Sequence, residues 1–202
     1  MESGLENRVV LVTGASGGIG SSMVRAFLAE DSKVAVHYGN QRDSAEKLAT
    51  ESEGRAKAFQ ADLTQEAEVE RLFGDIESEL GPVECVIANA GIWPAENVPI
   101  HEMTLTQWNK TLAVDLTSVF LTMRRFFIGI RNFELKDPSA VLIGSTAAVF
   151  GEAGHVDYAA AKAGISYGML QTLKNEISQL TRSGRVNACL LYTSDAADDI
   201  PR

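Results

Sequence analysis

Two spacings of apolar residues alternate along this chain. Short runs are apolar at nearly every position: "RVVLVTG" (8–14), "KVAVHYG" (33–39), "RAKAFQADL" (55–63), "PVECVIANAG" (82–91), "SAVLIGS" (139–145) and the opening of a sixth, "RVNA" (185–188). Between them lie longer stretches whose apolar residues recur every three or four positions: 18–32, 41–54, 64–81, 105–133 and 158–180. A continuous apolar run suits a strand buried on both faces, and the longer spacing suits an amphipathic helix. Strictly alternating strands and helices, joined by right-handed crossovers, predict an α/β fold with a single doubly wound parallel sheet. No linker, internal repeat or low-complexity stretch interrupts the alternation, so residues 1–188 read as one dinucleotide-binding and catalytic domain.

Composition narrows the function. The chain has 202 residues, 45% hydrophobic and 22% charged, which is ordinary for a globular domain. Its formal net charge of −9 disfavours nucleic acid, whose backbone calls for a basic face. No apolar run reaches the length of a membrane span, and no signal peptide precedes the first strand. Two cysteines are too few for a disulfide framework, and Cys85, inside an apolar run, is expected to be buried. The expectation is a soluble, cytoplasmic protein with no membrane or nucleic-acid partner.

Chemistry enters at "TGASGGIG" (13–20), between the first strand and the first helix. Gly14 permits a tight turn, Gly18 lets backbone approach a ligand, and Gly20 lets helix and strand pack closely. The helix N-terminus then offers free N–H groups to a pyrophosphate. The spacing T-G-x-x-x-G-x-G resembles that of the short-chain dehydrogenase/reductase family. The resemblance extends to "ADL" (61–63), to "ANAG" (88–91), and to Ser145 followed by Tyr158 and Lys162 as Y-x-x-x-K. It covers the chain from about Leu5 to Ala188 and implies an NAD(P)-dependent oxidoreductase acting on a carbonyl or secondary alcohol. It also implies cofactor contacts at Gly14, Ser16, Gly18, Ile19, Gly20, Asp62, Leu63, Asn89, Ala90, Gly91, Tyr158 and Lys162, with Asp62 against the adenine.

Tyr158 and Lys162 stand at i and i+4, on one helix face. A free tyrosine titrates near about pH 10. A neighbouring ammonium stabilises the phenolate and is expected to bring it closer to neutral-pH acid/base work. Ser145 can hold the substrate oxygen by a hydrogen bond. Where the family often has an asparagine in the helix before the fifth strand, this chain has Asp115. There the resemblance implies a kinked helix whose backbone carbonyl holds a relay water; the competing reading is an aspartate that only caps a helix irregularity. No spacing of His37, His101 and His155 suits a metal, and His155, three residues before Tyr158, is expected to be a solvated loop histidine.

The end of the second strand carries no acid to bind a ribose 2′-OH. Gly39, Asn40 and Arg42 leave room for a 2′-phosphate that Arg42 could pair with, which favours NADP over NAD, although Gly17 stands where many NADP-binding relatives have a basic residue. Trp93, Pro94, Val98 and Ile100 suggest an apolar, partly aromatic wall for a small-molecule substrate. The competing class is a non-catalytic, redox-sensing dinucleotide-binding protein. The resemblance implies a homodimer or homotetramer in the full-length form, joined through the helices 112–127 and 159–180; alternatively both helices are simply deep in the subunit. Finally, "CLLYTSDAADD" (189–199) is the translation of an adapter used in transposase-based sequencing libraries. Residues 189–202 are therefore expected to be a non-native tail on a chain truncated before its last strand, the alternative being a divergent natural tail.

Overall fold

In the computed structural model, which describes residues 3–192, six strands form one parallel sheet. They are β1 (Val9–Val12), β2 (Lys33–Tyr38), β3 (Ala56–Gln60), β4 (Cys85–Ala88), β5 (Ser139–Ser145) and β6 (Arg185–Leu191), in the order β3-β2-β1-β4-β5-β6. The helices are α1 (Gly18–Ala29), α2 (Arg42–Thr50), α3 (Glu66–Glu79), α4 (Leu105–Leu112), α5 (Ser118–Asn132), α6 (Ala147–Phe150), α7 (Val156–Ala163) and α8 (Leu170–Leu180). The apolar runs of β1, β2, β4 and β5 are largely buried on both faces, as their continuity requires, whereas the edge strands β3 and β6 alternate between buried and exposed residues. Val10 and Val12 of β1 pack with Val24 of α1 and Leu48 of α2, while Val9 and Leu11 pack with Leu72 and Phe73 of α3, Phe126 of α5 and Ile177 of α8. Alternate side chains of a strand face opposite sides, so one strand feeds two cores.

β1 pairs with β2 on one side and β4 on the other. The strand order therefore reverses beside β1, and the carboxyl ends of β1 and β4 flank the crevice where an open α/β sheet takes its ligand. The glycine turn follows β1 and the "NAG" residues follow β4, so this topology brings the two motifs together.

Both long helical stretches are interrupted. A π-helical segment, Ala113–Thr117, separates α4 from α5, and another, Gly164–Met169, separates α7 from α8. Such bulges shift the register of side chains around the axis and tend to occur at functional sites. The two meet: a Cβ built on Gly164 would lie 3.1 Å from Leu116 Cδ1. The apolar periodicity predicted the helices but not these breaks, nor the short α6.

β6 runs beyond Ala188. Cys189, Leu190 and Leu191 pair in register with Ile143, Gly144 and Ser145 of β5, and Thr146 N–H donates to Leu191 O at 2.9 Å. The change of character expected at Cys189 thus does not end the strand; "CLL" is apolar enough to complete it. Residues 193–202 of the expected tail lie outside the described residues. Cys85 is buried, which pushes its thiol above the usual value. Among the described residues, no helix is long and apolar enough to cross a membrane.

Candidate active site

The glycine turn needs its glycines for geometric reasons. Gly14 has φ +62°, and a Cβ there would lie 2.9 Å from Ala90 Cα. A Cβ on Gly20 would lie 2.4 Å from Gly14 O, so α1 could not start this close to the end of β1 with any other residue. Around Gly18 no other group comes within 4 Å of that position. Gly17 caps α1 without a side-chain hydrogen bond, and the first turn contains no acidic residue. Free N–H groups, no competing carboxylate and open space beside Gly18, with Ser16 and the exposed Ile19 at its edge, fit a bound pyrophosphate.

Two side chains tie this turn to its neighbours. Thr13 Oγ1 accepts hydrogen bonds from the N–H groups of Asn89 and Ala90, each at 2.9 Å, and Asn89 Nδ2 donates to Thr13 O at 3.0 Å and Gly14 O at 3.2 Å. Asn89 therefore braces the turn through its side chain. His37 lies buried in β2, with Nδ1 accepting from Gly14 N–H at 3.0 Å and Nε2 3.1 Å from Ala61 O. These partners call for the proton on Nε2, and burial lowers the imidazole pKa to about 4. His37 thus joins the glycine turn to the start of "ADL". The sequence marks His37 only as a histidine without metal-binding spacing, because both of its partners lie on other segments. Asp62 is exposed, its Oδ1 accepting from Thr64 N–H at 2.9 Å and Thr64 Oγ1 at 2.7 Å, whereas the Leu63 side chain belongs to the core. Asn40 and Arg42 are exposed beyond β2, with Arg42 Nε 2.6 Å from Glu46 Oε1.

Ser145 ends β5 and Tyr158 and Lys162 lie on α7, which packs against that strand. Lys162 is buried, its Nζ donating to Ile143 O at 3.2 Å and lying 5.5 Å from the centre of the Tyr158 ring. The pair therefore does not lie on a solvated helix face. The expected lowering of the tyrosine is not what this geometry produces. Burial pushes the Tyr158 phenol above its usual value, Asp115 pushes the same way, and the Ser145 hydroxyl pulls against them. Lys162 is itself held below its ordinary value by burial, which Asp115 opposes.

Asp115 sits in the first π-helical segment, fully buried. Its Oδ1 accepts from Ile92 N–H at 2.7 Å, and its Oδ2 has no hydrogen-bond partner. Burial raises its carboxyl to about 6, against the attraction of Lys162 and the Ile92 hydrogen bond. The helix irregularity is present, but the side chain does more than cap it, since it holds the chain just after "NAG".

Asp157, which the motifs did not single out, is also fully buried. Its Oδ2 accepts from Thr111 Oγ1 at 2.7 Å, and its Oδ1 from Tyr158 N–H at 2.9 Å, which fastens α7 to α4. His155 is a further correction. It is 1% exposed, not solvated, because its ring stacks on Trp93 at 4.1 Å and its nitrogens lie 2.9 Å from Pro94 O and 3.2 Å from Ala153 O. Among the described residues, no group of three or more His, Cys, Asp or Glu is arranged to hold a metal ion.

Residues 8–195 match the family model described as short chain dehydrogenase. Nodulation protein G of Rhizobium meliloti is 35% identical over 183 residues, covering 91% of this chain and 71% of that protein. 3beta-hydroxysteroid dehydrogenase 1 of Eggerthella lenta is 34% identical, covering 93% and 71% respectively. A 3-oxoacyl-(acyl-carrier-protein) reductase of Synechocystis is 32% identical, covering 91% and 73%.

Proposed function

The chain belongs to the short-chain dehydrogenase family, and we propose that it is an NAD(P)-dependent oxidoreductase in which Tyr158 moves the proton on a carbonyl or secondary-alcohol oxygen. The observation that carries this reading is the assembly of Ser145, Tyr158 and a buried Lys162 at the end of β5. The glycine turn, with Asn89, Ala90 and Gly91 beside it, would hold the dinucleotide, with Asp62 and Leu63 toward the adenine.

A bound nicotinamide supplies the hydride in reduction and accepts it in oxidation. The protein's own residues handle the oxygen. Ser145 donates a hydrogen bond that holds it, and Tyr158 delivers its phenolic proton as negative charge builds there. A phenol already holds its proton at neutral pH, as a general acid must; the burial that raises the Tyr158 pKa opposes release of that proton, and the Ser145 hydrogen bond and the nearby Lys162 charge act against that burial. Lys162 places a positive charge 5.5 Å from the Tyr158 ring, near the resulting phenolate, and would bind the nicotinamide ribose hydroxyls. Asp115 stands behind Lys162, where it can influence return of the proton.

Tyr158→Phe, made in the full-length protein with its native continuation after Ala188, is the test; the chain ending at residue 202 is itself expected to turn over little. The substitution removes one oxygen and retains the ring, so turnover of small ketones with NADPH should vanish while cofactor affinity stays nearly unchanged. Parent-level turnover in the variant would overturn the role. Absence of ketone turnover by the unmutated full-length protein, with cofactor still bound, would instead favour the non-catalytic redox-sensing reading.

The same reading assigns NADP as the preferred cofactor, through Arg42 and Asn40. A 2′-phosphate would compete with Glu46 for the Arg42 guanidinium, so Arg42→Ala should lower the ratio of kcat/KM for NADPH over NADH. It also assigns a homodimer or homotetramer to the full-length form, supported by a groove between α5 and α8 lined by Phe120, Met123, Phe127, Met169 and Leu173. A monomer by light scattering would count against that. The non-native reading of 189–202 is tested by sequencing the source gene across the Ala188 codon; an uninterrupted native frame encoding "CLLYTSDAADD" would overturn it.

A further inference from the structure

We propose that Trp93 is the specificity-determining residue of this site, a preformed aromatic platform that selects substrates whose carbonyl is borne on a flat unsaturated ring; this rests on the carbonyl-reductase reading above. Trp93 lies two residues after Gly91, and its backbone is held on both sides. Ile92 N–H is bound by the buried Asp115, and Pro94 O lies 2.9 Å from Nε2 of the buried His155. Further along the same loop, Val98 N–H donates to Gly154 O at 2.9 Å. A Cβ on Gly154 would come within 2.9 Å of Asn97 Cα, so loop and approach to α7 are packed without a gap.

The ring itself is fixed by two others. The imidazole of His155 stacks under the indole, with centroids 4.1 Å apart and planes 19° apart, and Tyr158 meets the indole edge-on at 4.8 Å and 81°. Trp93 nevertheless remains 52% exposed. An indole stacked against His155, touched by Tyr158 and still half exposed has already lost much of the rotamer freedom that binding would otherwise cost. Exposed Val149 and Phe150 of α6, close after Ser145, extend the apolar character of this end of the molecule.

The geometry favours flat ligands for a physical reason. An unsaturated ring lies parallel to the indole and makes contact over its whole face, with the quadrupole gain of an aromatic pair. A saturated ring of the same carbon count is puckered and touches at a few hydrogens. Tyr158 is one of the two rings that touch the indole, with centroids 4.8 Å apart, so a ligand ring stacked on the indole lies beside the side chain that bears the proposed proton donor.

The experiment compares acetophenone with cyclohexyl methyl ketone, which share carbon count and carbonyl. The parent, Trp93→Leu and Trp93→Phe are measured with NADPH present, by kcat/KM and, separately, by ligand-observed NMR affinity. The expected parent preference for the aryl ketone is about two- to tenfold. It should fall to near unity in Trp93→Leu and partly return in Trp93→Phe. An unchanged ratio in Trp93→Leu, an equal loss for both ketones, or no binding of the aryl ketone to the parent would each overturn the proposal. Failure of turnover with both ketones would instead strike the carbonyl-reductase reading, because the NMR ratio still reports on Trp93.

Discussion

Asp115 and Lys162 converge on the backbone of Gly91: a Cβ built there would lie 2.6 Å from Asp115 Oδ1 and 3.3 Å from Lys162 Nζ. A carboxyl and an amine from two different helices thus press against the residue that ends the "NAG" turn. Gly91→Ala should therefore displace both. The expected result is a loss of most turnover together with a fall in stability of about 1–3 kcal/mol; chemical denaturation and steady-state rates check it. Full activity would mean that the two side chains have more freedom than this geometry allows.

Asp115→Asn should change stability in a pH-dependent way. The folded-state pKa of Asp115 is raised to about 6, so folding favours the protonated form. Below the unfolded carboxylate range this costs nothing. The penalty grows as pH rises toward about 6 and is constant above. The asparagine variant, which keeps an acceptor for Ile92 N–H, should match the parent near pH 4 and exceed it at pH 8, by on the order of 1–3 kcal/mol. Thermal melts across that range would show it, and a pH-independent difference would contradict it.

His37 has the opposite sign. Its folded-state pKa is lowered to about 4, so the neutral ring is favoured by folding. The stability it supports is fully present above about pH 6.5 and is lost as pH falls through about 4. His37→Gln should flatten that acid limb. It should also weaken cofactor binding severalfold without a matching change in kcat, because it loosens Gly14 and Ala61 and touches no reacting group. Equal falls in kcat and cofactor affinity would point to general damage.

The two inner glycines of the turn should separate structure from binding. Gly20→Ala forces a Cβ to within 2.4 Å of Gly14 O and should lower the melting temperature. Gly18→Ala meets no other group within 4 Å, so it should leave melting unchanged while raising the cofactor Kd. Identical behaviour of the two would argue against a ligand beside Gly18.

Asp157→Ala strips the partner from the buried Thr111 hydroxyl and from Tyr158 N–H. It should cost about 1–3 kcal/mol, with Asp157→Asn recovering part of it, since an amide can still bond both. Because Asp157 positions the start of α7, turnover should fall even in preparations that remain folded, and recovery in the asparagine variant distinguishes positioning from simple loss of fold.

Much of this protein was legible in one dimension because its determinants are local. Strands buried on both faces must be apolar throughout, as β1 and β4 are, and a dinucleotide turn must carry glycine where a Cβ would strike Gly14 O or Ala90 Cα. The Tyr158–Lys162 pair is legible for the same reason, since helical spacing alone puts both on one face. What the tertiary structure decided are the effects that depend on neighbours distant in the chain. Burial raised Tyr158 against the expected pull of Lys162, because desolvation depends on the whole surrounding fold. His155 became a buried support for Trp93 only when residues 61 positions apart were brought together. Asp157 and His37 carry no sequence signature, because their partners Thr111, Gly14 and Ala61 lie on other elements. The π-helical breaks at Asp115 and Gly164 likewise arise where two helices cross. Periodicity records which face of an element is buried, while the chemistry of a buried polar group depends on what the fold packs against it.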